Sequence, residues 1–160
     1  MVSYYDYDFE AVIERLHIGN GKKILYYNVV ILPESLFHKL PFDSYPKLRI
    51  IGELHDHPIR GAWNPIADGR KYFILSQKFL DAADLQIGDM TEMRFNIDDQ
   101  DFVDVHCEIV RELEVNARLA EIWAALTAGK KRFYCYQIAN AKQQATRDKR
   151  LASLVTELLS

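Results

Sequence analysis

The stretch LTAGKKRFYCYQIANAKQQATRDKR, from Leu126 to Arg150, decides how the chain divides. Its basic residues fall at helical spacing and are tied to an aromatic cluster of Phe133, Tyr134 and Tyr136. Just upstream, Leu119, Ile122, Trp123 and Leu126 recur at i, i+3, i+4 and i+7, the clearest amphipathic stripe in the chain. That stripe predicts a helix, with Gly129 closing it just past the C-cap. A third helix is predicted from about Phe133 to Ala145. A fourth follows Thr146, a candidate N-cap, and buries Leu151, Leu154, Val155 and Leu158. The helical period begins at Cys107, where Ile109, Val110 and Leu113 share one face.

Before Cys107 the pattern is different. Phe9, Ala11 and Ile13 alternate with Glu10, Val12 and Glu14, which predicts a strand running to Ile18. Gly19-Asn20-Gly21 is a hairpin signal, because these residues accept positive φ. Strands are further predicted over Ile24–Leu32, Leu48–Leu54 with an extension toward His57 and Pro58, Tyr72–Leu75, Thr91–Ile97 and Phe102–Val105. Glu34–Leu40 is a short helix candidate, and Ser76 an N-cap for a helix through Ala83. Ile59–Arg70 carries Gly61, Pro65 and Gly69 and reads as irregular. Asp98–Asp101 reads as a hairpin loop. Strands first and helices later argue an α+β fold: a small curled or closed sheet of six strands over residues 1–105, and a helical segment over 106–160 packed on it.

The net charge of −3 hides a division. Residues 1–115 hold 12 Lys+Arg against 20 Asp+Glu, and residues 116–160 hold 8 against 3. Such polarity steers an anionic partner to the basic end, or draws the two parts of the chain together. Two cysteines, Cys107 and Cys135, make no disulfide framework and lack metal spacing, so they read as reduced thiols of a cytoplasmic protein. The acidic, aromatic N-terminus has no basic n-region and reads as no signal peptide. No apolar run approaches bilayer length.

Several fixed spacings coincide in the tail. They are Leu126-Thr127-Ala128-Gly129-Lys130-Lys131-Arg132, then Tyr136-x-Ile138-x-x-Ala141-Lys142, then Thr146-Arg147-x-x-Arg150. Looser marks lie upstream: Leu32-Pro33, Gly52, Asp68-Gly69 before Tyr72–Leu75, and Ile87-Gly88-Asp89. In these the chain resembles the bacteriocin-protection, YdeI or OmpD-associated family. It departs from the family pattern at His106, where a proline is usual, and at Ala128-Gly129, where Pro-Gly is usual. The resemblance implies that the strands form a small six-stranded pseudo-barrel with a helical tail, and a role in tolerance to antimicrobial peptides or envelope stress. It implies no reaction and no cofactor.

Three constellations carry chemistry. His55 and His57 share a face if they lie on a strand and supply half of a metal shell, with His38, His106, Asp56 or Asp68 as further ligands. Read that way, they serve a metal-assisted hydrolase or lyase; read otherwise, they are surface histidines. The loop Arg60–Tyr72 gathers Arg60, Trp63, Asn64, Asp68, Arg70 and Tyr72, a stacking ring with cations and an amide. Its alternative is a Trp63 that plugs the core. Lys142, Arg147 and Arg150, with Lys130, Lys131 and Arg132, suit a phosphate or an acidic peptide. Their alternative is pairing with carboxylates of the acidic part of the chain.

Other patterns exclude themselves. Asp98–Asp104 lacks the glycine and glutamate of a calcium loop. Gly19-Asn20-Gly21 precedes a strand, not the helix a phosphate loop needs. No serine has a nucleophile-elbow bracket, and no nucleic-acid motif accompanies the basic tail, which ranks that partner last. The sequence therefore points to a non-enzymatic binding protein. It takes a small anionic ligand or acidic peptide at loop 60–72 and the basic tail, and self-association is left open.

Overall fold

The computed structural model describes residues 4–19 and 24–160. It divides into a strand unit, Met1–Gln100, and a helical unit, Asp101–Ser160. The strand unit runs β1 (Tyr7–Val12), β2 (Glu14–Ile18), β3 (Leu25–Ile31), α1 (Glu34–Phe37), β4 (Arg49–Leu54), β5 (His57–Ala62), β6 (Asn64–Pro65), β7 (Lys71–Leu75), α2 (Gln77–Ala83) and β8 (Met90–Ile97). Among the described residues, eight strands form two four-stranded antiparallel sheets, ordered β1-β8-β4-β5 and β2-β3-β7-β6, not six strands in one ring. One buried cluster, including Val30, Ile50, Leu54, Phe73, Leu75 and Phe95, forms its core.

Two single-residue corners pass the chain from one sheet to the other. Ile13 separates β1 from β2, and Trp63 separates β5 from β6; both have no exposed surface. At the first corner Glu14 and Arg15 are both exposed, so the inward phase moves from odd to even residues. The predicted continuous strand to Ile18 is therefore broken at Ile13, whose N–H donates to the Asp89 carbonyl at 2.9 Å. At the second corner the Trp63 N–H donates to the Leu48 carbonyl at 2.9 Å.

The stretch expected to be irregular contains a strand. His57–Ala62 pairs along the whole of β4, from Leu54↔His57 to Arg49↔Ala62. Pro58 and Gly61 are tolerated because β5 is an edge strand. A Cβ at position 61 would stand 3.1 Å from the Phe73 ring, which would have to give by a few tenths of an ångström. The Gly19-Asn20-Gly21 signal falls largely outside the described residues; beside it β2 and β3 pair from Ile18↔Leu25. Ser76 caps α2 as expected, accepting from the Phe79 N–H at 3.1 Å.

The helical unit contains α3 (Cys107–Val115), α4 (Ala117–Ala125), α5 (Ala128–Ala139) and α6 (Gln144–Leu159). Three side-chain caps cut it into helices. His106 Nδ1 accepts from the Glu108 N–H at 3.2 Å, Asn116 Oδ1 from Leu119 at 3.1 Å, and Thr127 Oγ1 from Lys130 at 3.2 Å. Gly129 thus sits in the first turn of α5 rather than closing α4, because the Thr127 cap starts the helix before it. Gln143, not Thr146, stands at the N-cap of α6. Phe102–Val105 forms no strand; the Phe102 carbonyl accepts from the Arg132 guanidinium at 2.7 and 3.1 Å instead. The unit's core is Ile109, Trp123, Tyr134, Cys135, Ile138 and Leu154. No helix among the described residues is long and apolar enough to cross a membrane.

The charge division lies inside the helical unit. Residues 1–100 carry 11 Lys+Arg and 15 Asp+Glu, whereas residues 101–160 carry 9 and 8. The acidic helix α3 and the basic helix α6 belong to the same unit, so their attraction is spent on folding it. Glu108 of α3 meets Arg147 Nε at 3.7 Å and accepts from the Gln144 side-chain amide at 3.0 Å.

Candidate functional site

The loop expected to face a ligand is mostly structural. Trp63 is fully buried and packs edge-on against Phe73 and Phe95, with ring centroids 5.6 and 5.8 Å away. It is core, as its size and apolar area favour. Tyr72 is buried too, and burial raises its phenol pKa, with Tyr27 adding a smaller push. The Asn64 amide donates to the Ala62 carbonyl at 3.2 Å. Asp68 and Arg70 pair with each other at 2.8 Å. Arg60 reaches Asp98 through two hydrogen bonds, 2.7 and 3.0 Å. Asp98 therefore ends β8 as the partner of an arginine rather than forming a hairpin loop.

This pair makes a pH prediction. The Arg60 hydrogen bond, chief among several causes, holds the Asp98 carboxyl below its ordinary pKa. A depressed carboxylate stabilises the fold above its unfolded pKa, and that contribution is lost as pH falls through the folded value. Asp98→Asn is expected to cost about 1–2 kcal/mol at neutral pH, Arg60 being partly solvent-screened. Urea melts at neutral and acid pH check this: the gap between variant and parent should close in acid. A gap unchanged by pH would assign the loss to packing instead.

The two histidines do not share a strand face. His55 and Asp56 take positive φ, 50° and 62°, as the turn between β4 and β5, and His57 opens β5. Their rings are nearly parallel with centroids 6.5 Å apart, and His57 Nδ1 lies 2.8 Å from the His55 carbonyl. The proposed further ligands are engaged elsewhere: Asp56 by Arg94 at 2.7 Å, Asp68 by Arg70, His38 by Glu34 at 3.7 Å, and His106 as the α3 cap. Among the described residues, no group of three His, Cys, Asp or Glu side chains is placed to hold a metal ion.

The basic tail is brought together within its own unit. Arg147 clamps three segments: Glu108 of α3, the Ala141 and Lys142 carbonyls at 2.9 and 3.2 Å, and the Gln144 side chain at 2.6 Å. Arg150 donates to the Gln137 carbonyl of α5 at 2.7 Å. The Arg150 bond satisfies one of the carbonyls that the end of α5 leaves open, and the Arg147 bonds hold the link between α5 and α6. Lys142 is exposed. Much of the tail motif is thus explained as folding chemistry: Thr127 caps, Ile138 and Ala141 are buried, Arg147 and Arg150 clamp.

Beside the clamps, a surface groove of about 400 Å³ runs between α5 and α6. Thr146, Lys149, Arg150 and Ser153 line it from α6, and Gln137 from α5. At one end the Tyr134 hydroxyl donates to Glu157 at 3.0 Å. Burial, followed by that carboxylate, raises the Tyr134 phenol, so it stays a neutral donor. Ile138 and Leu154 also line the groove, whose polar side chains are cationic at Lys149 and Arg150 and acidic at Glu157. Lys149, Ser153 and Tyr134 were not among the expected site residues. The i, i+3, i+4, i+7 spacing of Thr146, Lys149, Arg150 and Ser153 was the available signal.

No curated protein matches the chain. The groove and its clamps lie in the segment whose motifs carry the resemblance, and that segment, residues 103–160, matches the family model described as Bacteriocin-protection, YdeI or OmpD-Associated.

Proposed function

We propose that the chain is a non-enzymatic binding module of the cytoplasm whose helical unit takes an acidic peptide in the α5–α6 groove. The observation that carries this reading is the polarity of the groove. Lys149 and Arg150 offer cations at one end, and Glu157 offers an acceptor at the other. A peptide carboxylate would sit at the cationic end and a backbone or side-chain donor at Glu157. Ser153 adds a hydroxyl between them, and Thr146 another beyond the cations. The family description supports a place for this binding in bacteriocin protection or an OmpD-linked process. Loop 60–72 is left out of the site, since its ring is core and its cation is held by Asp98.

Lys149 is exposed and donates none of the bonds that hold α6 to α5, which makes it the clean probe. Hexaglutamate binding, followed by calorimetry, is expected to weaken about tenfold in Lys149→Glu, which is ~1.4 kcal/mol. Added salt should weaken the parent's binding as well. Inorganic phosphate run beside it separates peptide recognition from capture of any small anion. Equal affinity in parent and variant, or no dependence on salt, would remove the groove from the function.

A further inference from the structure

We propose that Cys107 and Cys135 are a thiol pair that closes to a disulfide when a hydroperoxide reaches the cavity they share. The proposal is independent of the groove. The cavity, about 470 Å³ and open to solvent, lies in the helical unit and is walled by Asp104, His106, Cys107, Cys135 and Tyr136 among others. Both sulfurs gather around one residue. Cys107 Sγ lies 4.0 Å from His106 Nδ1, and the His106 backbone N–H donates to the Cys135 sulfur. His106 is itself fixed, because its Nδ1 accepts from the Glu108 N–H as the cap of α3. Far apart in sequence, the two cysteines line the same cavity.

Their exposure sets the order of events. Cys107 is exposed at the first position of α3, while Cys135 is only 9% exposed within the core. Cys107 meets the oxidant first. Its thiol yields a proton to solvent and the sulfur attacks one peroxide oxygen. The O–O bond breaks, and the leaving hydroxide takes up a proton to become water or, from an organic peroxide, the alkoxide becomes an alcohol. Cys107 is then a sulfenic acid. The Cys135 sulfur, giving up its proton, attacks the Cys107 sulfur; the S–O bond breaks and a water leaves. Two thiols lose two electrons and the hydroperoxide gains them. Burial raises the Cys135 thiol, which slows the second step.

The bond would tie the start of α3 to the middle of α5, and it requires Cα atoms about 4.4–6.8 Å apart. The test uses the whole native chain, hydrogen peroxide, alkylation of remaining thiols and mass spectrometry of tryptic peptides. The expected product is a Cys107–Cys135 linked peptide pair, reversed by dithiothreitol and formed at a rate independent of protein concentration. In Cys135→Ser, Cys107 should stop as a sulfenic acid that dimedone traps. The proposal is overturned if both thiols remain alkylatable, if Cys107 alone is oxidised in the parent chain, or if links form only between chains.

Discussion

Replacing Trp63 with Ala is expected to lower the stability of the strand unit by about 3–5 kcal/mol, the range for deleting a large buried aromatic. Trp63 has no exposed surface and touches the rings of Phe9, Phe73 and Phe95. It also turns the chain from β5 into β6, so the void would open where the two sheets are joined. Trp63→Phe should be milder. The indole N–H is buried without a hydrogen-bond partner, and losing it removes that penalty. The measurement is a urea titration by circular dichroism, with Trp123 fluorescence reporting the helical unit separately. A Trp63→Ala chain within about 1 kcal/mol of the parent would contradict the description of this residue as core.

Gly52→Ala is expected to be nearly as damaging, about 3 kcal/mol, by the opposite mechanism of overpacking. Gly52 lies in β4, flanked by β8 and β5, opposite Phe95 and Ile59. A β-carbon there would press on the Arg94 carbonyl oxygen and stand 2.7 Å from the Phe95 Cα. These are backbone atoms, which cannot swing aside as a side chain does. The β4–β8 ladder must separate or the strand must bend. Thermal melts of the variant check this, and hydrogen exchange at β8 amides locates the damage. An unchanged melt would mean that β4 and β8 lie farther apart than their pairing implies. Gly52 is one of the looser marks of the resemblance read from the sequence, and this close approach is its physical reason.

The site teaches a lesson about motif residues. Arg147 and Arg150 were natural candidates for anion binding, because guanidinium groups at helical spacing suit phosphates and carboxylates. The structure spends them on carbonyls of the α5–α6 junction and on Glu108. Of the groove's two cations, Lys149, which no motif singled out, is the one that donates none of those bonds. The same holds for Arg60, whose partner Asp98 is a strand away. A sequence shows that a cation is present; only the fold shows which anion or carbonyl has already taken it.

The sequence by itself determined what depends on neighbours along the chain. The alternation of β8, the apolar stripe of α4, the Ser76 cap and the tail motif are all local patterns, read within one or two turns or one pleat. Tertiary structure decided what depends on residues far apart. It bent the chain at Ile13 and Trp63, because only a second sheet offers those side chains a place to be buried. It made an edge strand of His57–Ala62 despite proline and glycine, because β4 supplied the hydrogen bonds. It gathered Cys107 and Cys135 about His106, because helix packing, and no spacing along the chain, sets which side chains meet.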